Sequence, residues 1–361
     1  MKKIIALSLA LVMALSLCAC GDDNTPGGNK EDEKVSVSLF TQVIMTEKNS
    51  DGGTDTMKGV VEYDENYNII GTKTYINDKL NYEVTYDKDP QKPLQEKSYY
   101  EDGTRTSTVV YVYDESGNRL ERTSTYDNGE EKRVNKVVCT YDANGNVLTE
   151  KHYEDGELHY NYTYTYTASG KVESETHNWD GNESWTRYTY DEHDNIVTEK
   201  QGFGEEVTTS KTYENSYANG KLTEVKIYRG ETLDERICYD ADGNKTLQIG
   251  YSDGEENYRS ESTYENGKLV KQVVSYDGEQ QSIALYVYDA KGNLTERSYT
   301  YGDDEPQRRV YTYNDSGDVI GLKTYEGDEL EGEYTLTYET VTVSKEVAKR
   351  IEQLNALMID F

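Results

Sequence analysis

Residues Tyr141–Gly170 read YDANGNVLTEKHYEDGELHYNYTYTYTASG. Three turn signals divide this stretch: Tyr141-Asp142-Ala143-Asn144-Gly145-Asn146, then Asp155-Gly156, then Gly170. Asn-Gly and Asp-Gly pairs supply the positive φ that tight hairpin turns require, and an Asp at the turn entry bonds the backbone ahead of it. Between the second and third turns, Leu158 to Tyr166 alternates. Even positions are Leu or Tyr and odd positions are polar or Thr. That is period two, a strand with one aromatic face and one hydroxyl-rich face.

Moving outward, the same unit recurs along the chain. The Tyr before each turn falls at 63, 86, 113, 141, 166, 190, 217, 239, 264, 288, 313 and 338, a mean spacing of about 25 residues. Glycines follow one another at 11, 14 and 11 residues from Gly145 to Gly181, so a short strand alternates with a long one. Each unit therefore reads strand, turn, strand, turn. Return strands such as Leu294–Tyr299 alternate less cleanly, which a bulge would explain. Two units depart from the pattern. Pro90 and Pro93 follow Tyr86, where pairing is expected to break. The turn His193-Asp194-Asn195 lacks its Gly, where a kink is expected.

The fold class that follows is all-β: an elongated antiparallel meander of tandem β-hairpin repeats over residues 35–343, as a ribbon or coiling into an open shell. Val35–Thr46 reads as a strand without repeat chemistry, an N-terminal cap. Val347, Ile351, Leu354 and Met358 share one helical face behind the N-cap candidate Ser344. Residues 344–361 are thus expected to be a short capping helix over the last edge strand.

Composition fits a thin sheet better than a thick core. Tyr occupies 35 positions and Phe 3, and apolar residues make up only 34% of 361. Tyrosines pack their rings and keep their hydroxyls wet. With 69 acidic against 38 basic residues the net charge is −31, which excludes nucleic acid as partner. It also disfavours lying flat on anionic lipid.

The first 19 residues read as a signal peptide. Lys2 and Lys3 precede an apolar run, Ile4–Leu17, that is short for a membrane span. The run ends in Leu17-Cys18-Ala19-Cys20, which resembles a bacterial lipobox. The resemblance implies cleavage before Cys20 and acylation of its thiol, a palmitate-class anchor in which two or more chains hold stably. Residues 20–34, with the polar run GDDNTPGGNKEDEK, read as a flexible tether. The expected location is the extracytoplasmic face of the cell envelope. The expected partners are the membrane, through Cys20, and a protein or glycan ligand.

The units Tyr288–Arg297 (YDAKGNLTER) and Tyr264–Leu269 (YENGKL) resemble the YD repeat of the RHS family and the MORN-variant repeats of bacterial surface proteins. The resemblance covers about residues 60–340. It implies a long β-strip. In large RHS proteins such a strip encloses a toxic domain, but here the lipobox and the lack of a self-cleavage region argue against carrying that function over.

Little in the sequence speaks for catalysis. His152, His159, His177 and His193 sit in separate repeats without ligand spacing. No nucleophile elbow, zinc motif, P-loop or dinucleotide fingerprint occurs. The Asp-rich turns lack the ligand density of a calcium loop. We therefore expect no enzyme activity, no cofactor and no metal. Cys139 and Cys238 lie four repeats apart on opposite strand faces, so a disulfide between them is not expected. The candidate ligand-stacking residues are Tyr160, Tyr162, Tyr164, Tyr166, Trp179 and Trp185. The first reading of this stripe is structural, a cross-strand ladder that stabilises the sheet, and an exposed stacking platform is its alternative.

Overall fold

The computed structural model describes residues 34–49, 51–127, 129 and 131–358. The expected signal peptide, Cys20, most of the tether and the last three residues lie outside them. Among the described residues there are twenty-four strands, β1 to β24 in chain order, and one C-terminal helix, α1. The chain divides into two compact units. One takes the chain up to residue 105, residues 312–321 and everything from 333 onward. The other takes 106–311 and 322–332.

In the second unit the hairpin repeat is seen at its most regular in β8 (Lys132–Tyr141), β9 (Val147–Glu154), β10 (Glu157–Tyr166), β11 (Val172–Trp179), β12 (Asn182–Tyr190) and β13 (Ile196–Phe203). Each pairs antiparallel with the next. Two turn types alternate. At the short turns that follow β9 and β11 both central residues are left-handed, as in Asp155 (φ 49°) and Gly156 (φ 92°). That is the backbone a two-residue hairpin needs to match strand twist. The longer turn is a clasp. Asp142 Oδ1 accepts the N–H groups of Asn144 and Asn146 at 2.8 and 2.9 Å, and Oδ2 accepts Asn146 Nδ2 at 2.9 Å. Asp114, Asp240 and Asp289 repeat it. These bonds, led by the Asn146 side chain, hold the Asp142 carboxyl below its usual range.

The bulge left unplaced by the sequence has a fixed address. At ten of the twelve anchor tyrosines the register shifts immediately before the Tyr. Tyr288 pairs with Leu294 but Val287 with Glu296, so Thr295 is the extra residue. Its hydroxyl donates to the Val287 carbonyl at 3.1 Å. Thr246 and Thr223 do the same in their own repeats. One residue is thus inserted per long turn, and the alternation is broken once on every such return strand.

The first unit corrects three expectations. All strands belong to one antiparallel sheet, and β1 (Lys34–Lys48) pairs with β24 (Glu329–Ser344) as well as with β2 (Thr54–Tyr63). β1 thus has a strand on either side and is no open edge, which overturns the expected open meander or shell. Thr41 Oγ1 donates to the Thr337 carbonyl at 3.1 Å, and Phe40 meets Tyr338 edge-on at 5.6 Å. This pairing leaves neither end strand exposed as a bare template for aggregation.

Second, α1 (Lys345–Met358) does not cap a free last strand. It packs on β1. Leu39, Val343, Ala348 and Ile351 form its buried core. The buried Asn355 bonds the Phe40 N–H and the Ser38 carbonyl, taking the place of a partner strand. Ser344 Oγ accepts the Val347 N–H.

Third, the prolines do not break pairing. Tyr86 of β4 (Lys79–Tyr86) pairs with Pro93 of β5 (Pro93–Tyr99), and Lys88 takes a left-handed φ of 66° in the turn between them. In the second unit the turn without glycine is likewise intact. Asp194 supplies the left-handed residue (φ 61°), and Asp191 N–H still reaches the Asn195 carbonyl.

Candidate functional site

Anchor tyrosines and strand tyrosines do different things. Tyr141, Tyr166 and Tyr190 donate their hydroxyls to the carbonyls of Arg119, Val147 and Val172 at 2.7, 2.7 and 2.6 Å. Each acceptor is the residue paired with the anchor one repeat earlier. Tyr288 and Tyr338 make the corresponding bond to Leu269 and Val319. The anchor row therefore ties each repeat to its predecessor. Tyr166, one of the six candidate stacking residues, is part of that framework.

Tyr160, Tyr162 and Tyr164 are not tied in this way. Their hydroxyls have no hydrogen-bond partner among the described residues. Their rings join a continuous run across β9, β10, β11 and β13. His152 stacks on Tyr160 at 4.2 Å, His177 on Tyr162 at 4.4 Å, and Trp179 on His177 at 4.7 Å. Tyr164 extends the run beyond Tyr162 at 6.4 Å, and Phe203 closes it beside Trp179 at 5.9 Å. The register explains the contacts. Tyr160 faces Trp179 and His152, and Tyr162 faces His177 and Glu150. Such pairs contribute beyond their buried area. Phe203 remains 47% exposed, so the Trp179 end of the run is open to solvent.

Charge borders the rings on one side. Glu150, opposite Tyr162, accepts His152 Nε2 at 2.6 Å, and Glu175 lies opposite Tyr164. Burial, and then the Glu175 and Glu150 carboxylates, push the Tyr164 phenol up to about 12. Burial raises the Tyr162 phenol as well. Both phenols are thus neutral donors across the physiological range. His177 Nε2 is shielded and has no hydrogen-bond partner, with the Tyr160 ring crossing the imidazole at 89°.

Trp185 stands apart. It pairs with Thr176, one residue out of step with His177, and so lies on the opposite face from Trp179. It is buried, with its ring on Gly202, Nε1 donating to the Gly204 carbonyl at 2.9 Å and Arg187 over it at 4.2 Å. The structure brings Tyr160, Tyr162, Tyr164 and Trp179 together and sets Trp185 elsewhere.

Sequence reasoning did not select His152, His177, Phe203, Glu150 or Glu175. A signal was present. His152 and His177 are 25 residues apart, one repeat, which places them two strands apart on one face. Among the described residues no three His, Cys, Asp or Glu are grouped to hold a metal ion. Cys139 and Cys238 are both free thiols, and burial raises that of Cys139.

No known family description matches the chain, and no curated protein matches it. Solved structures do. The chain is similar to the crystal structure of TcdB2-TccC3 without its hypervariable C-terminal region, at 14% identity and a TM-score of 0.39, over 81% of this chain and 19% of that one. A second TcdB2-TccC3 crystal structure gives 11% identity and a TM-score of 0.23, over 85% and 25%. A porin-like protein from Bacteroides uniformis ATCC 8492 gives 12% and 0.21, over 84% and 98%. This chain spans about a fifth to a quarter of the TcdB2-TccC3 chains it matches.

Proposed function

We propose that this chain is a lipid-anchored repeat protein of the cell envelope that binds a ligand without transforming it, and that it belongs with the RHS-like YD-repeat proteins. Attachment in this reading rests on Cys20. Among the described residues no helix is long and apolar enough to cross a membrane. Replacing Cys20 with Ala is expected to abolish lipid labelling and to leave the protein uncleaved at this site or released. Unchanged membrane retention by an unlipidated wild type would sink the anchor.

A scaffold that binds a protein partner is the general form of this reading. A saccharide ligand is the more specific form, and one observation favours it. Three phenol hydroxyls, those of Tyr160, Tyr162 and Tyr164, are unspent by the framework at the edge of a ring run that ends on an exposed Phe203. Sugars are recognised by aromatic surface together with hydroxyl and carboxylate partners. The test is a fluorescence titration of the full chain with oligosaccharides. Trp179 and Trp185 are the two indoles present, so a Trp185→Phe background leaves Trp179 as the reporter. A saturable change supports the saccharide reading. A flat trace with every sugar, beside a protein partner captured by crosslinking on intact cells, would favour the scaffold form.

A further inference from the structure

Four strands carry a glutamate at one repeat position, three residues beyond the partner of the anchor tyrosine: Glu96, Glu150, Glu175 and Glu199. Three are satisfied. Glu96 accepts the Tyr82 hydroxyl at 2.6 Å, Glu150 accepts His152 Nε2 at 2.6 Å, and Glu199 accepts the Tyr213 hydroxyl at 2.8 Å. Glu175 has no hydrogen-bond or ion-pair partner among the described residues, although it is half-buried at the centre of β11.

Its surroundings are aromatic. Tyr164 lies directly opposite on β10, with Tyr162 and Tyr166 diagonal to it on the same face. On β12 its partner is Thr186, and Tyr188 is the next residue on that face. The cations of the neighbouring strands point away. Arg187 pairs with Ser174 and Lys200 with Arg187, so both are on the other face. The carboxylate is felt by the phenols. Burial first, then nearby carboxylates including Glu175, raise those of Tyr164 and Tyr188.

A half-buried carboxylate without a counter-ion is costly, and a cationic ligand relieves that cost. An ammonium group fits the surroundings twice, through charge-assisted hydrogen bonds to the carboxylate and through attraction to phenol rings. We propose that Glu175 and the phenols around it bind the protonated amine of an amino sugar, a pyranose carrying a free amine. This deepens, and rests on, the saccharide reading above. The sugar ring lies along the Tyr162–Tyr164 edge, and the amine lies at Glu175.

The experiment compares two probes on the full chain: a glucosamine tetramer and the same tetramer fully N-acetylated, each titrated against wild type and Glu175→Gln. Acetylation removes the charge and keeps the ring. The free-amine tetramer is expected to bind about tenfold more tightly to wild type. Glu175→Gln is expected to erase that preference and leave the melting temperature unchanged, since no protein bond is lost. Equal binding of the two tetramers to wild type, or a preference that survives in Glu175→Gln, overturns the amine site and leaves the saccharide reading standing. Binding of neither tetramer removes both.

Discussion

The hydroxyl of Tyr166 lies 2.7 Å from the carbonyl oxygen of Val147, the residue paired with Tyr141, the anchor one repeat earlier. Two residues away on the same strand, Tyr164 has no such bond. One strand thus carries tyrosines of two kinds. Removing one hydroxyl at a time should separate them. Tyr166→Phe is expected to cost about 1 kcal/mol in denaturant unfolding. Tyr164→Phe is expected to stay within about 0.5 kcal/mol of wild type. Equal costs would erase the distinction.

The tyrosine framework also sets a limit in alkali. Burial raises several phenols, with Tyr141 and Tyr164 pushed up to about 12 and Tyr63 and Tyr338 driven higher still. In the unfolded chain a phenol ionises near 10. Folded-state values above unfolded ones give stability that is complete below about pH 10 and is lost as pH rises through the folded values. Stability should therefore be level to about pH 10 and fall steeply above it. A phenolate absorbance titration should show a cooperative step that coincides with loss of circular dichroism. Independent ionisation of all tyrosines near 10 with the fold intact would contradict this.

Gly202 has no room for a side chain. A Cβ there would run into the Trp185 ring and the Glu206 carbonyl oxygen. Gly202→Ala should displace the indole and cost about 1–3 kcal/mol. A shifted Trp emission with an early unfolding midpoint is the expected signature. Wild-type behaviour would mean that Trp185 does not lie over this backbone.

The closing helix depends on one buried amide. Asn355 bonds Phe40 N–H at 3.1 Å and the Ser38 carbonyl at 2.7 Å. Asn355→Ala leaves both backbone groups unmet, at a cost of about 2 kcal/mol. Hydrogen exchange at residues 38–40 should accelerate, while exchange in strands β8 to β13 should not. Uniform acceleration everywhere would indicate instead that the seam and the repeats unfold together.

Much of the fold was legible because the repeat chemistry is local. Asp142, Gly145 and Asn146 specify their own turn, and Tyr162 and Tyr164 declare their face by alternation. The bulge at Thr295 was harder to read. Its position depends on register between two strands: a period-two pattern puts Leu294 and Glu296 on one face, whereas they pair with the adjacent residues Tyr288 and Val287. The pairing of β1 with β24 was not legible. It joins residues some 300 positions apart, and neither strand advertises its partner. The candidate site was read in part. Tyr160, Tyr162 and Tyr164 were visible as a stripe. His177 and Phe203 reach it only through cross-strand pairing, and Trp185 leaves it because two strands and a turn reset the parity after Trp179.

The most direct test of the ligand account replaces Tyr160, Tyr162 and Tyr164 together with Phe. All three rings remain, and no hydroxyl bond within the protein is lost. Oligosaccharide binding by the full chain is then measured beside its melting temperature. The account predicts an unchanged melting temperature and binding weakened by tenfold or more, because the lost hydroxyls are those that reach the ligand. A triple variant that binds sugar as well as wild type, or a wild type that binds none, would contradict it.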